Sequence, residues 1–304
     1  MISASGVNDA LFPAPAHRDP PRMRGDLNVF ERFHVYVCAR TRIDTPILER
    51  DLSRSPAIAN KQVALTVLWD QESAAAAFAG AIASATADFL VFTHCDVYFP
   101  DNWFERLDWE LERLTRKDDR WAVAGFSGMT ASGEQVGRIW DCSLDPWTHG
   151  VFGKKLVDPV PIVSADEMAF VVRRSTGVTF DPKLPEFHLY ATDIMLSAQR
   201  AGLRCYGLDM PLIHNAKAQL YVGRDYRRAY RYMISKWRDR LPVPTTCGPL
   251  SLTPFAMSLR RLRMRYKAIF RRSTYSTHRI PDPSVKSREL GLDECLLKGM
   301  AGRG

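Results

Sequence analysis

The sequence predicts an α/β fold, in which a mixed, mainly parallel sheet is flanked by helices and followed by basic C-terminal helices. Three observations lead to this prediction. Short apolar runs recur along the chain, an alanine-rich segment connects two of them, and positive charge is concentrated near the C-terminus. With 304 residues, 46% of them hydrophobic and 25% charged, the chain can bury a core without disulfides or a structural metal.

The first three apolar runs are typical of buried strands. FHVYVCA begins at Phe33, VALTVLW covers 63–69 and FLVFT covers 89–93. Between the second and third runs lies ESAAAAFAGAIASA, a strong helix former with small side chains that allow a helix to lie close to a sheet. Strand, helix and strand with short connections predict βαβ units, in which ligands bind beyond the carboxyl ends of the strands.

Later segments continue the alternation of strands and helices. Each is predicted from apolar spacing and from the polar, proline or glycine residues at its ends. We expect a helix from Trp103 to Thr115, a strand from Trp121, two strands between Val160 and Arg174 separated by Asp166 and Glu167, a helix that stops at Gly202, and one strand that ends at His214.

Charge and proline content divide the chain into four parts. Residues 1–28 are proline-rich with little periodic apolar content, which predicts a flexible tail. Residues 29–220 form the expected main α/β domain. Residues 221–279 contain 15 Lys and Arg against two acids, whereas the rest of the chain has 27 basic and 32 acidic residues. Residues 280–304 are expected to be a loosely held tail.

Three motifs occur in an order that is found in one enzyme family. FLVFTHCDVYFPDNWF resembles the strand that carries the DxD motif in family 2 nucleotide-sugar glycosyltransferases of the GT-A fold, with His94 where the first Asp usually stands. FHLYATDIMLSAQRAG resembles their Glu-Asp segment; it retains Asp193 and has Thr192 in place of the Glu. PLIHN resembles the segment with their late metal-binding histidine, here His214. Over about residues 33–215 the chain is similar to a divergent glycosyltransferase-like subfamily with His-x-Asp in place of Asp-x-Asp.

The resemblance implies a Rossmann-like GT-A fold and a metal-dependent inverting glycosyltransferase. Such an enzyme moves a sugar from a nucleoside-diphosphate sugar to a hydroxyl of a glycan or lipid-linked acceptor, as in polysaccharide biosynthesis. Cleavage leaves negative charge on the diphosphate, which Mn²⁺ or Mg²⁺ can neutralise. Asp96 and His214 are the expected metal ligands, and His94 can also coordinate. Asp193 is the expected general base, although an Asp at a helix start is often only an N-cap.

Polar residues at other strand ends are candidates for binding the nucleotide. Asp70 follows the second predicted strand, where it could bind the nucleoside or only form a turn. Arg40 and Thr41 follow the first strand, where they could line the base pocket or lie in a solvated loop.

A second group of residues is expected to contact the sugar or the acceptor. Asp166 and Glu167 interrupt an apolar context, and His188 could face the same cleft, although a core histidine bonded to backbone is the commoner case. Aromatic and imidazole side chains in the long middle loop could stack on a sugar or simply pack. They are Trp140, Trp147 and His149.

The basic segment leaves a second function open. RDYRRAYRYMISKWRDR and SLRRLRMRYKAIFRR mix arginine with aromatic residues, a composition suited to an anionic membrane surface or an acidic acceptor. Packing on the domain with solvated arginines ranks close behind, and nucleic-acid binding ranks third. The alternative to an enzyme is therefore a non-catalytic GT-A-like module that binds membrane or nucleic acid. A nucleotidyltransferase is disfavoured because no glycine-rich phosphate loop follows the first strand.

The expected location is the cytoplasm, with the option of peripheral contact at the inner face of the membrane. The N-terminal sequence has no secretory signal pattern, and the six cysteines are scattered without a CxxC pair.

Overall fold

The computed structural model describes residues 28–143, 151–217, 223–253, 262, 266 and 279–293. Several predictions concern residues outside these ranges. They are the N-terminal tail before residue 28, most of the second basic stretch, and the roles of Trp147 and His149.

Strands and helices alternate along the described residues. The strands are β1 (Phe33–Ala39), β2 (Ala64–Trp69), β3 (Phe89–Thr93), β4 (Val97–Tyr98), β5 (Trp121–Gly125), β6 (Gly128–Met129), β7 (Gln135–Val136), β8 (Ile139–Asp141), β9 (Val151–Phe152), β10 (Val160–Pro161), β11 (Ser164–Ala165), β12 (Ala169–Arg173), β13 (Arg204–Gly207) and β14 (Ile213–His214). The α-helices are α1 (Thr41–Arg50), α2 (Pro56–Ala59), α3 (Ala74–Ser84), α4 (Trp103–Lys117), α5 (Tyr190–Arg200), α6 (Arg224–Lys236) and α7 (Pro283–Glu289).

The central sheet has the strand order β10-β13-β5-β12-β3-β1-β2. Strand β1 pairs in parallel with β2 and β3, and β13 pairs in parallel with β5. Strand β12 runs antiparallel to both β3 and β5, and β10 runs antiparallel to β13. Five strands therefore point in one direction and two in the other, which confirms the predicted mixed, mainly parallel sheet.

Helices cover both faces of this sheet, which explains why its strands are apolar on both sides. On one face, Phe92 of β3 and Phe170 of β12 pack in the same cluster as Phe78 of α3 and Tyr190 of α5. On the other face, β-strand side chains pack against α4. Successive residues of β3 alternate between the two clusters, as the pleat of a strand requires.

A small sheet beside the central one positions the candidate site. Its order is β4-β14-β8-β9. The sequence predicts one continuous strand that ends at His214, and this prediction is wrong, because the segment forms β13 in the central sheet and β14 in the small sheet. Pairing of β14 with β4 sets His214 opposite Val97, and pairing with β8 sets it opposite Asp141.

Helix α6 of the basic segment and the described part of the C-terminal tail lie against the domain. Helix α6 buries Tyr226, Tyr230 and Met233 and belongs to the core cluster on one face of the sheet. Residues 279–293, here called the C-terminal strap, contain α7 and bury Ser287. The expectation of a loosely held tail therefore does not hold for residues 280–293. Among the helices of the described residues, none is long and apolar enough to cross a membrane.

Candidate active site

Thr41 and Asp70 meet at the carboxyl edge of the central sheet. They follow β1 and β2, which are adjacent and parallel, so both strand ends lie at the same edge. The backbone N–H of Thr41 donates to Asp70 Oδ1 at 3.0 Å, and the Thr41 hydroxyl donates to Asp70 Oδ2. These hydrogen bonds lower the pKa of the exposed Asp70 carboxyl. Asp70 is thus held as an anion at an open surface.

Arg40 turns away from this pair. Its Nε donates to Asp44 Oδ2 at 3.0 Å, and its backbone N–H donates to the same oxygen at 2.9 Å. Arg40 is the N-cap residue of α1, and its guanidinium pairs with a carboxylate in the first turn of that helix. The structure brings Thr41 and Asp70 together but leaves Arg40 engaged with Asp44.

Three side chains that could bind a metal converge after β3. The ligand atoms of His94, Asp96 and His214 all lie within 4.8 Å of one another. Asp96 Oδ1 lies 3.3 Å from His214 Nε2 and 4.0 Å from His94 Nδ1. The backbone reinforces this arrangement, because the N–H of Asn215 donates to the carbonyl of Asp96 at 2.7 Å. Two imidazoles and one carboxylate form a donor set that suits Mn²⁺ and similar divalent cations.

Asp141 orients the His214 ring from the other side. Asp141 Oδ2 lies 2.8 Å from His214 Nδ1, while Asp141 Oδ1 accepts hydrogen bonds from the backbone and hydroxyl of Ser143. A carboxylate behind a histidine fixes the ring and directs its second nitrogen at the metal position. Here that nitrogen, Nε2, faces Asp96.

Charge sets the protonation of this cluster. Burial lowers the pKa of His214, but Asp96 and Asp141 outweigh burial and raise it well above its ordinary value. Burial likewise opposes ionisation of Asp96, yet His214 and Arg279 hold the pKa of Asp96 well below its ordinary value. Burial lowers the pKa of His94. Without a metal, His214 carries a proton between two carboxylates, and a divalent cation would replace that proton.

The C-terminal strap reaches this cluster through Arg279. Arg279 Nη1 donates to Asp96 Oδ2 at 2.7 Å and to the backbone carbonyl of Asn215. The buried Asn215 side chain also pairs with the strap backbone in both directions, since its Oδ1 accepts from the N–H of Ile280 at 2.8 Å and its Nδ2 donates to the Ile280 carbonyl at 3.0 Å.

A second cluster contains the predicted sugar or acceptor contacts. Glu167 accepts a hydrogen bond from the backbone N–H of Leu189, and its Oε2 lies 3.9 Å from His188 Nδ1. His188 Nε2 lies 3.3 Å from Asp225 Oδ2. Burial and the neighbouring Asp166 raise the pKa of Glu167 well above its ordinary value. The backbone N–H of His94 donates to the carbonyl of Met168, the residue after Glu167, at 2.9 Å, so this cluster adjoins the candidate metal position.

Asp193 lies in the first turn of α5, and its side-chain hydrogen-bond partners belong to neither cluster. Its side chain is 1% exposed, and its carboxylate accepts hydrogen bonds from Lys236 Nζ at 2.9 Å and from Trp237 Nε1 at 2.7 Å. Burial raises its pKa although both partners act in the opposite direction. The carboxylate therefore connects α5 to α6, and its role as a general base stays a prediction.

The sequence could not indicate two residues of the site. Asp141 ends a three-residue strand in a loop-rich region, and only its pairing with β14 brings it to His214. Arg279 lies in a stretch of many arginines, and no local pattern distinguishes it. Trp140, a predicted sugar contact, has Lys286 of the strap 5.3 Å above its ring.

No protein-family model matches this chain. A curated relative, "ATP synthase subunits region ORF 6" from Fuscovulum blasticum, is 26% identical over 163 residues. The match covers 51% of this chain and 61% of that protein, so it spans less than two thirds of the relative's length.

Several solved structures are similar at low identity. The mannosyltransferase PcManGT from Pyrobaculum calidifontis, in complex with GDP-Man and Mn²⁺, is 11% identical; the match covers 97% of this chain and 79% of that one, with a TM-score of 0.42. GalNAc-T7 with UDP, GalNAc and Mn²⁺ is 13% identical over 81% of this chain and 58% of that chain, with a TM-score of 0.43. TarS 1-349 of S. aureus with UDP-GlcNAc is 12% identical over 79% and 74%, with a TM-score of 0.40. At these values the function has to be argued from the residues of this chain.

Removing the Asp193 carboxylate is expected to destabilise the fold. Asp193→Ala leaves the Trp237 Nε1–H without its buried acceptor, while Lys236 keeps Asp181 as a partner, so we expect the free energy of unfolding to fall by about 1–3 kcal/mol in urea titrations. The matched control is Asp239→Ala, which removes an exposed ion pair with Arg200 and should stay within about 0.5 kcal/mol of the wild type. Equal stability of the two variants would contradict a structural role for Asp193.

Glu167 is expected to make stability depend on pH. The pKa of Glu167 in the folded chain lies above its ordinary value of 4.5, so protonation of this carboxyl stabilises the fold. This stabilisation is fully present below about pH 4.5 and is lost as pH rises through the folded pKa. Glu167→Gln stays neutral, so its free energy of unfolding relative to the wild type should rise as pH increases above about 4.5. The exposed Glu134→Gln serves as control and should show no such trend. A flat difference for Glu167→Gln would refute the raised pKa.

Proposed function

We propose that this chain is a metal-dependent, inverting glycosyltransferase that moves a sugar from a nucleoside-diphosphate sugar to a hydroxyl of a glycan or lipid-linked acceptor. The observation that carries the proposal is the convergence of His94, Asp96 and His214 within 4.8 Å at the end of β3, at the same sheet edge as Thr41 and Asp70. Its cellular setting, the cytoplasm or the inner face of a membrane, is part of the proposal.

The spacing of the two groups suits a nucleoside diphosphate. Strand β1 lies between β2, which leads to Asp70, and β3, which leads to Asp96. Two interstrand steps separate strands β2 and β3 by about 10 Å. The ionised Asp70 can accept hydrogen bonds from the hydroxyl or N–H groups of a nucleoside, while the cluster around Asp96 receives the diphosphate.

The residues of the cluster fit a divalent cation. His94, Asp96 and His214 would hold Mn²⁺ or Mg²⁺, and Asp141 keeps His214 Nε2 directed at that position. When bound, the cation supplies charge neutralisation for the departing diphosphate. The protein supplies the orientation of both rings and the partial burial that keeps water away from the leaving group.

Inversion requires a carboxylate on the side of the sugar opposite the diphosphate, where it accepts the proton of the attacking hydroxyl. Asp193 is the sequence-based proposal for this base. Glu167 is a second candidate, because its Oε2 lies 3.9 Å from His188 Nδ1 and burial raises the pKa of its carboxyl, which makes the carboxylate a stronger proton acceptor. The imidazole of His188, between Glu167 and Asp225, can relay the proton to solvent.

Contact with an anionic membrane or an acidic acceptor is a further part of the proposal. On α6, buried aromatic residues anchor the helix, and Arg224, Arg228 and Arg231 are exposed on its other side. Of these, Arg228 forms an ion pair with Glu186 at 2.9 Å. Such a surface can approach lipid headgroups or a charged glycan, and it is also the feature that would carry a non-catalytic binding role.

The proposal predicts joint stabilisation by nucleotide and metal. UDP or GDP together with Mn²⁺ should raise the melting temperature more than either component alone, because a ligand of the native state stabilises it by mass action. In Asp96→Ala the Mn²⁺-dependent part of the shift should disappear. The control Asp119→Ala, an exposed carboxylate at the end of α4, should behave as the wild type.

Two outcomes would contradict the proposal. One is a wild-type chain whose melting temperature responds to no nucleoside diphosphate in the presence of Mn²⁺. The other is an unchanged Mn²⁺-dependent shift in Asp96→Ala. Salt-sensitive binding to anionic vesicles without any nucleotide shift would instead favour the non-catalytic module.

A further inference from the structure

The C-terminal strap (residues 279–293) places a guanidinium directly at the candidate metal site, and the residues so far assigned to sugar transfer do not explain it. Arg279 lies 183 residues after Asp96 in the chain, yet its Nη1 lies 2.7 Å from Asp96 Oδ2, and its side chain is only 16% exposed. Building such a contact from distant segments has an entropic cost, which the strap must offset by its other contacts.

We propose that Arg279 is a diphosphate-binding residue of the donor site, and that the C-terminal strap completes this site. The inference rests on the proposed function and extends it to a residue outside the predicted catalytic domain.

The first argument is hydrogen-bonding capacity. A guanidinium has five N–H donors. Of the Arg279 guanidinium nitrogens, only Nη1 donates hydrogen bonds to described residues, namely to Asp96 and to the carbonyl of Asn215. The remaining donors can bind phosphate oxygens, in the forked geometry that makes arginine a common ligand of phosphate groups.

The second argument is charge. Asp96 and Asp141 together carry two negative charges. A divalent cation beside His214 would cancel these charges and leave no net positive charge. Arg279 adds one positive charge at the same place, so the loaded site would have the surplus that attracts a diphosphate. A guanidinium that already pairs with Asp96 Oδ2 leaves Oδ1 facing both imidazoles, so it does not block the metal position.

The third argument is the way in which the strap is fixed. The buried Asn215 follows the candidate ligand His214 and binds Ile280 through two hydrogen bonds. Further along, the carboxylate of Asp293 accepts from the backbone N–H of Asp101 at 3.0 Å. These contacts hold both ends of the strap against loops that follow β4 and β14, and thereby hold Arg279 in place.

The experiment compares nucleotide binding by the full chain in the wild type, Arg279→Gln and Arg279→Lys. Calorimetric titrations use UDP and GDP with saturating Mn²⁺, and uridine and guanosine serve as probes without phosphate. Binding of Mn²⁺ alone is followed by electron paramagnetic resonance. The matched control is Arg288→Gln, which makes the same charge change at an exposed position of the same strap.

We expect Arg279→Gln to weaken binding of the nucleoside diphosphate about 10- to 100-fold, the loss of a charge-assisted hydrogen bond. Arg279→Lys should fall between this variant and the wild type, because it keeps the charge and loses the fork. Nucleoside binding and Arg288→Gln should match the wild type. Melting temperatures without ligand show whether each variant is folded. If Arg279→Gln does not fold, the comparison of Arg279→Lys with the wild type is the test.

Other results would overturn the inference. Unchanged diphosphate affinity in both Arg279 variants would show that Arg279 does not bind the diphosphate. A tenfold gain in Mn²⁺ affinity in Arg279→Gln without loss of diphosphate binding would assign Arg279 the role of a counter-charge for Asp96 only. Absence of diphosphate binding in the wild type would overturn the proposed function as well. Failure of the proposed function is thus seen in the wild type, whereas failure of the Arg279 inference alone is seen only in the variants.

Discussion

The buried carboxylate of Asp96 determines how the candidate site is organised. An anion that leaves water must be compensated by hydrogen bonds and opposite charge, or it becomes protonated. Here the compensation comes from His214 on one oxygen and Arg279 on the other. Each partner belongs to a different part of the chain, so this one charge joins the end of β3, the small sheet and the C-terminal strap.

The two groups that compensate the charge of Asp96, His214 and Arg279, each depend on further contacts. Protonated His214 needs Asp141 behind it, which requires β14 to pair with β8 in the register that is observed. Arg279 needs the strap to be fixed, which Asn215 accomplishes with its side-chain amide. In the proposed metal-bound state, a divalent cation would replace the proton that His214 holds between two carboxylates.

Much of the fold could be predicted from the sequence, because β1, β3 and α3 are specified locally by apolar runs and helix-forming residues. The placement of Asp70 and Asp96 at one edge of the sheet follows from βαβ connectivity alone. The division of residues 204–214 into two strands could not be predicted, because an apolar run does not record which sheet each half joins.

The contacts of the site were harder to predict than its location. An Asp in the first turn of a helix has the same local sequence pattern whether it caps the helix, accepts a proton or pairs with a lysine. Only the packing of α6 on α5 reveals that the carboxylate of Asp193 binds Lys236 and Trp237. Asp141 and Arg279 likewise depend on strand pairing and on a distant segment, which one sequence does not encode in any local pattern.

The most direct test of this account is to locate the metal. Crystals of the chain grown with Mn²⁺ and a nucleoside diphosphate, measured at a wavelength where manganese scatters anomalously, should give a peak bounded by His94, Asp96 and His214. One ion is expected there, bound by Asp96 Oδ1 and an imidazole nitrogen. A manganese peak elsewhere, or none with the nucleotide bound, would contradict the central claim.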